Sequence, residues 1–143
     1  MNTQAIFLRR LRLAVKESTA EVIDRAKQAH SYKNHTGMLE REGLADRYEN
    51  QKLTGIVSIS PRVGYAGYVH EGFPAHTIKP RFRKALRWAA NGEFHFAGRV
   101  HHPGFKGDPF LYNAFDASQK EIDRIFDRQV ELACQEVEND FAR

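Results

Sequence analysis

Apolar residues in the first thirty positions recur at three- and four-residue steps. Phe7, Leu11, Ala14, Val15, Val22, Ala26 and Ala29 follow one another with Arg, Lys and Glu between them. That period predicts an amphipathic helix from about residue 3 to about residue 30. Arg9, Arg10, Arg12 and Lys16 read as its solvated face. Residues 31–37 are polar and contain Gly37, which predicts a loop. A short helix is expected over 38–46, with Leu39 and Leu44 inward, before a polar link through Asn50.

Beyond that link the period changes. Residues 54–60 (TGIVSIS) and 62–69 (RVGYAGYV) are rich in β-branched and aromatic residues and are expected as strands, with Pro61 forcing a bend or an edge position. Residues 70–83 contain Gly72, Pro74 and Pro80 without clean periodicity, and predict a long exposed loop, a kind of segment that is often functional. Asn91-Gly92 lies between the short apolar runs 84–90 and 93–99. It predicts a β-hairpin, because both central positions of a type I′ turn need positive φ. Leu86 and Trp88 fall on one face of the first strand, Phe94 and Phe96 on one face of the second.

Turn-forming segments follow at His101-His102-Pro103-Gly104 and Lys106-Gly107-Asp108-Pro109. Leu111, Ala114, Phe115, Ser118, Ile122, Ile125, Phe126, Val130, Ala133, Val137 and Phe141 then trace the stripe of a long helix. At 1.5 Å per residue a helix of about 30 residues reaches roughly 45 Å, more than the width of a sheet of four or five strands. Part of it is expected to overhang its own domain, carrying Val130, Val137 and Phe141 into a region that needs a neighbour. The pattern predicts an α+β fold in one domain, residues 1–143. It comprises an N-terminal amphipathic helix, a mostly antiparallel sheet with a long exposed loop and a hairpin, and a long C-terminal helix packed on the sheet. Trp88, Phe94, Phe96, Phe110 and Phe115 are expected in its core.

Composition changes this picture little. The 143 residues suit one domain, and 41% apolar with 28% charged residues is ordinary for a globular protein. The lone Cys134 excludes an intrachain disulfide and, in a helical pattern, reads as an inert, partly buried thiol. Arginines interrupt the first sixteen residues, which therefore lack a signal peptide's apolar core, and no apolar run approaches the roughly 20 residues of a membrane span. A cytoplasmic product with no membrane association is expected.

Charge is more informative. The net value is +4, yet between residues 50 and 107 nine basic side chains oppose only Glu71 and Glu93, a local +7. From Asp108 onward nine acids oppose Lys120, Arg124, Arg128 and Arg143, a local −5. Such opposite regions can attract within one chain, between neighbouring subunits, or toward a polyanion.

Candidates for chemistry are sparse. His70, His76, His95, His101 and His102 lie in the middle region, but His70-Glu71 is not followed by a second histidine at HExxH spacing, and adjacent His101 and His102 diverge if extended. There is no GxSxG, and no glycine-rich phosphate cradle. A metal-dependent hydrolase using His70, His101 and His102 is the third-ranked reading. Lys79, Arg81, Arg83, Lys84 and Arg87 around Phe82 could neutralise phosphates and stack a base. This makes a small DNA- or RNA-binding protein the second reading, although no helix-turn-helix, zinc finger or RNA-binding sheet motif accompanies the segment.

Over about residues 30–120 the chain resembles the tail-completion, or head–tail joining, neck proteins of long-tailed bacteriophages. The resemblance is carried by Thr36-Gly37-Met38-Leu39, by Tyr65-Ala66-Gly67-Tyr68-Val69 with Gly72 after it, and by Ile78-Lys79-Pro80 before Lys84-Ala85-Leu86-Arg87-Trp88. His102-Pro103-Gly104 and Pro109-Phe110-Leu111 complete it. Each element is short; their order and spacing are specific. The sequence departs from the family where Glu commonly follows YxxYV and Thr follows the glycine, places held here by His70 and Phe73.

The resemblance implies a structural virion protein without enzymatic activity, cofactor or metal. It would form a ring, commonly a hexamer, at the head–tail junction, between the portal and adaptor proteins and the tail tube. Its place would be the virion, reached from the host cytoplasm. Residues 70–84, including Lys79, Arg81, Phe82, Arg83 and Lys84, and the C-terminal helix are the expected assembly surfaces, with non-specific contact to DNA passing through the lumen.

Overall fold

The structure is a computed structural model and describes residues 2–142. Arg143, counted above in the acidic C-terminal region, lies outside the described residues. Helix α1 (Thr3–Gln28) starts where the Asn2 side chain accepts a hydrogen bond from the Gln4 amide at 3.0 Å, and Arg25 and Lys27 complement the dipole of its last turn. Helix α4 (Phe110–Phe141) runs back along it. Val22 and Ala26 meet Phe110, Leu111 and Ala114 at one end. Glu17 accepts from Gln129 and Arg128 further along, and Arg9 and Arg10 both reach Glu136 towards the other.

Small side chains let the two helices approach closely. Ala14, Ser18, Ala26, Ala114, Ser118 and Ala133 are all buried, and the Ser118 hydroxyl is satisfied by the Ala114 carbonyl at 2.7 Å. Of the three overhanging apolar residues only Val137 is half-buried. Val130 and Phe141 stay exposed, the latter at 82%. Arg9 and Arg10, expected to be solvated, tie the open ends of the pair together. The Arg10 hydrogen bond, then the Arg10 and Arg9 charges, hold the Glu136 carboxyl below its ordinary range. This tie contributes stability above the unfolded-state value and loses it as pH falls through the lower folded value.

The strands are all antiparallel but form three separate two-stranded sheets, not one. Strands β1 (Leu44–Glu49) and β2 (Thr54–Ile59) pair from Leu44↔Ile59 to Glu49↔Thr54 and lie on α1. Gly55 allows that approach, since a Cβ there would come within 2.4 Å of the Thr19 methyl. Tyr48 and Thr19 share a hydroxyl hydrogen bond of 2.7 Å. Leu44, Val57 and Ile59 complete the core around Val22, Phe110 and Leu111, which is where α4 meets the sheet.

Two segments differ from expectation. Helix α2 (Met38–Glu42) stops before Asp46, because the Gly43 amide closes the turn on Leu39 and the chain then enters β1. Tertiary pairing with β2 overrides the helical reading of 44–46. Residues 62–69 form no strand. A turn follows Pro61 and leads into helix α3 (Ala66–Glu71), which buries Ala66 and His70 four residues apart. Val63 and Ala66 close a second small core with Leu39. Cys134 is exposed on α4, not partly buried, because Ala133 takes the inward position beside it.

Asp108 joins the parts. Its buried carboxylate accepts from the Ser31 and Tyr32 amides at 2.6 and 2.9 Å, and its own amide donates to the Val69 carbonyl at 2.8 Å. One residue thus fixes the exit of α1, the end of α3 and the entry to α4. Tyr32, packed edge-on against Phe110, has its phenol pushed up to about 12 by burial first, then by Glu40, Asp108 and Tyr65. That contribution is intact below the ordinary tyrosine value of 10.0 and fades as pH rises towards 12. Asp108→Ala removes the acceptor of two partly buried amides and is expected to lower stability by about 1–3 kcal/mol. Urea unfolding checks this, and an unchanged midpoint contradicts the assignment.

Candidate functional site: an exposed aromatic and basic arm

The segment expected as one long loop holds a short strand, β3 (His76–Ile78), paired with β6 (Val100–His102). This ribbon is the stem of an arm. Above it run residues 79–85 and the hairpin of β4 (Leu86–Ala90) and β5 (Glu93–Ala97), in register from Leu86↔Ala97 to Ala90↔Glu93. Asn91 and Gly92 have φ of 52° and 80°, the type I′ geometry that the sequence predicts.

The hairpin is formed as expected, but its side chains are not core. No residue from 79 to 99 is buried. Trp88 is 41%, Phe94 64% and Phe96 66% exposed. The reason is geometric. A two-stranded ribbon has no second layer in this chain to cover it, so both faces remain open. Trp88 pairs with His95 on one face, the rings 5.6 Å apart and nearly parallel. Phe94, Phe96, Arg87 and Ala89 occupy the other, with the Arg87 guanidinium 4.8 Å from the Phe94 ring centre. Phe115 on α4 is also exposed, and of the five expected core aromatics only Phe110 is fully buried.

At the arm's base Lys79, Arg81, Phe82, Arg83 and Lys84 are all exposed, Phe82 at 90%, with Arg81 5.6 Å from the Phe82 ring centre. Phe82, Arg83, Arg87 and Phe96 contribute to a shallow cleft of about 680 Å³ between this loop and the hairpin. From 79 to 99 six cations oppose Glu93 alone.

The motif residues behind the resemblance gather mostly where the arm joins the body. Phe73 and Phe105 exchange backbone hydrogen bonds of 2.8 Å, placing the segment after Tyr65–Tyr68 against the one between His102-Pro103-Gly104 and Pro109-Phe110. Gly72 (φ 81°) and Gly104 (φ 84°) have left-handed backbone, and a Cβ on either would meet opposing main chain at 2.4 and 2.7 Å. Ile78 closes β3 opposite Val100, and Pro80 follows it into the exposed loop. Thr36 and Gly37 lie apart at the start of α2, where Leu39 is buried. Tyr65 and Tyr68 are exposed.

The two departures from the family pattern pack on rings. His70 sits edge-on to Phe110 and Tyr112, its Nδ1 2.8 Å from Glu71 and its Nε2 buried without a partner among the described residues. Phe73 packs with Tyr68, His102 and Phe105. Of the histidines weighed as metal ligands only His76 and His102 come together, stacked across the β3–β6 pair with ring centres 5.3 Å apart. His101 and His102 are consecutive on β6, His102 accepts from the Gly104 amide at 3.0 Å, and His70 lies in its own aromatic pocket. No group of three or more His, Cys, Asp or Glu placed to hold a metal occurs among the described residues, and no described helix is long and apolar enough to cross a membrane.

A second surface escaped the sequence reading. An apolar groove of about 700 Å³ runs between α1, β2 and α4, with Val15, Val57, Phe115, Ile122 and Phe126 among its walls. No single stretch announces it, because its residues come from three distant segments. The alternation of apolar residues in β2 beside the excess apolar width of α4 (Phe115 and Phe126 flanking the buried line) was the available signal. No protein-family model, curated protein or solved structure matches this chain.

Because Phe94 and Phe96 are about two-thirds exposed and outside any core, a Phe94→Ser, Phe96→Ser double variant is expected to unfold within about 1 kcal/mol of the parent. Chemical unfolding of the dilute protein measures this. A loss of several kcal/mol would place the rings in a core.

Proposed function

We propose that the protein is a structural subunit of a bacteriophage neck, assembling with copies of itself into a ring, in the family's manner a hexamer, at the head–tail junction. The observation that carries this reading is the arm, a ribbon with aromatic rings on both faces and no residue buried by its own chain. An exposed apolar patch of that kind marks an association surface. The ordered motifs from Thr36 to Phe110 point to tail-completion proteins, and the basic arm with the acidic α4 region gives unlike patches that favour head-to-tail contact. In this reading the ring contacts portal or adaptor proteins above and tail-tube proteins below. Lys79, Arg81, Arg83 and Lys84 are available to passing DNA.

One observation favours the second reading, a small DNA- or RNA-binding protein: exposed Phe82 beside Arg81, flanked by Lys79, Arg83 and Lys84. The two separate in solution. Sedimentation velocity over rising concentration is expected to reveal a closed oligomer of defined size, and a monomer at every concentration contradicts the ring. Under the second reading a monomer binds single-stranded DNA with an affinity that falls steeply with salt and disappears on charge reversal of Lys79, Arg81 and Arg83.

A further inference from the structure

The arm and the groove between α1, β2 and α4 are two separate open surfaces of the chain. Strand β2 pairs only with β1, so its second edge is unpaired. Residues 53–57, inward- and outward-pointing alike, all line the groove, which therefore follows that edge rather than one face of the strand. An unpaired edge beside an apolar trough is the arrangement that accepts an added strand. The dimensions agree: the arm's strands have five residues each, and β2 has six.

Charge agrees as well. Asp116 lines the groove, and Asp123 and Asp127 continue its row along α4 at helical spacings of seven and four. None of the three forms an ion pair among the described residues. The arm presents Arg87 on the same face as Phe94 and Phe96, with Arg81, Arg83 and Lys84 next to it. Arg124 and Arg128 adjoin Asp123 and Asp127 in sequence but pair with Glu121 and Glu17, and Lys120 lies one turn from Asp116.

We propose that the β4–β5 hairpin of a second copy of this chain lies along the free edge of β2, with Phe94 and Phe96 between α1 and α4 against Phe115 and Phe126, and Arg87 on Asp116. The inference rests on the assembly reading above and names its interface. Arm and groove are different surfaces, so the contact is head-to-tail and repeats from one copy to the next until the ring closes. Docking removes from water the roughly two-thirds of each ring that the single chain leaves exposed. The strand edge adds directional hydrogen bonds that fix register.

The test mixes two differently tagged populations of the full chain in a Cys134→Ser background, one carrying Phe96→Cys and the other Phe115→Cys. Both positions are more than half exposed, so each variant is expected to fold, which circular dichroism checks. A short bis-maleimide is expected to yield a product bearing both tags, formed only in oligomeric fractions. As a second measurement, Asp116→Arg is expected to weaken self-association at least about tenfold, and adding Arg87→Asp to restore it, as for a directly coupled charge pair. Oligomers that form without the mixed product, and without rescue by the paired reversal, overturn this interface and leave the ring standing. A chain that remains monomeric throughout overturns both. Capture of single-stranded DNA by the arm of a persistent monomer decides for the nucleic-acid reading.

Discussion

The close packing of α1 on α4 determines which apolar surface this chain uses for itself and which it leaves open. Ala14, Ser18, Ala26, Ala114, Ser118 and Ala133 let the two helices run side by side, and of the apolar residues overhanging the sheet only Val137 is half-buried. Further open surface lies elsewhere. Phe115 and Phe126 wall a groove beside β2, and the arm's rings have nothing behind them. The body buries a core of its own; the arm buries no residue.

The junction between body and arm is closely knit. Asp108 binds the chain after α1 through two amides, Phe73 and Phe105 lock the two segments that carry the arm, and glycines at 72 and 104 permit an approach that any side chain would block. In the head-to-tail contact proposed above, ring size would depend on the angle that this junction sets between arm and groove. The motif residues that carry the family resemblance cluster largely at this base, although Thr36 and Gly37 belong to a separate corner.

Much of the fold was legible because it is locally encoded. The two long helices follow from periodicity, and Asn91-Gly92 fixed the hairpin by its demand for positive φ. Elements set by distant partners were not legible. Residues 44–49 become a strand because β2 pairs with them, and YAGYV becomes a helix because Ala66 and His70 find a common core one turn apart. The hairpin aromatics read as core since apolar residues in a strand ordinarily are; only the three-dimensional separation of the ribbons reveals that no layer covers them. The arm as a site was therefore visible by its charge and loop character, while the groove, assembled from three segments, was not.

The arm has no layer over it in the single chain, and in the proposed assembly it is covered. Amide hydrogen exchange, followed in dilute monomer and at assembling concentration, tests it most directly. The amides of 86–97 and of the β2 edge are predicted to slow together by about tenfold or more on assembly, while those of Ser31 and Tyr32 at the Asp108 junction stay unchanged. Equal protection of the arm in both states, or slowing confined to other regions, would contradict it.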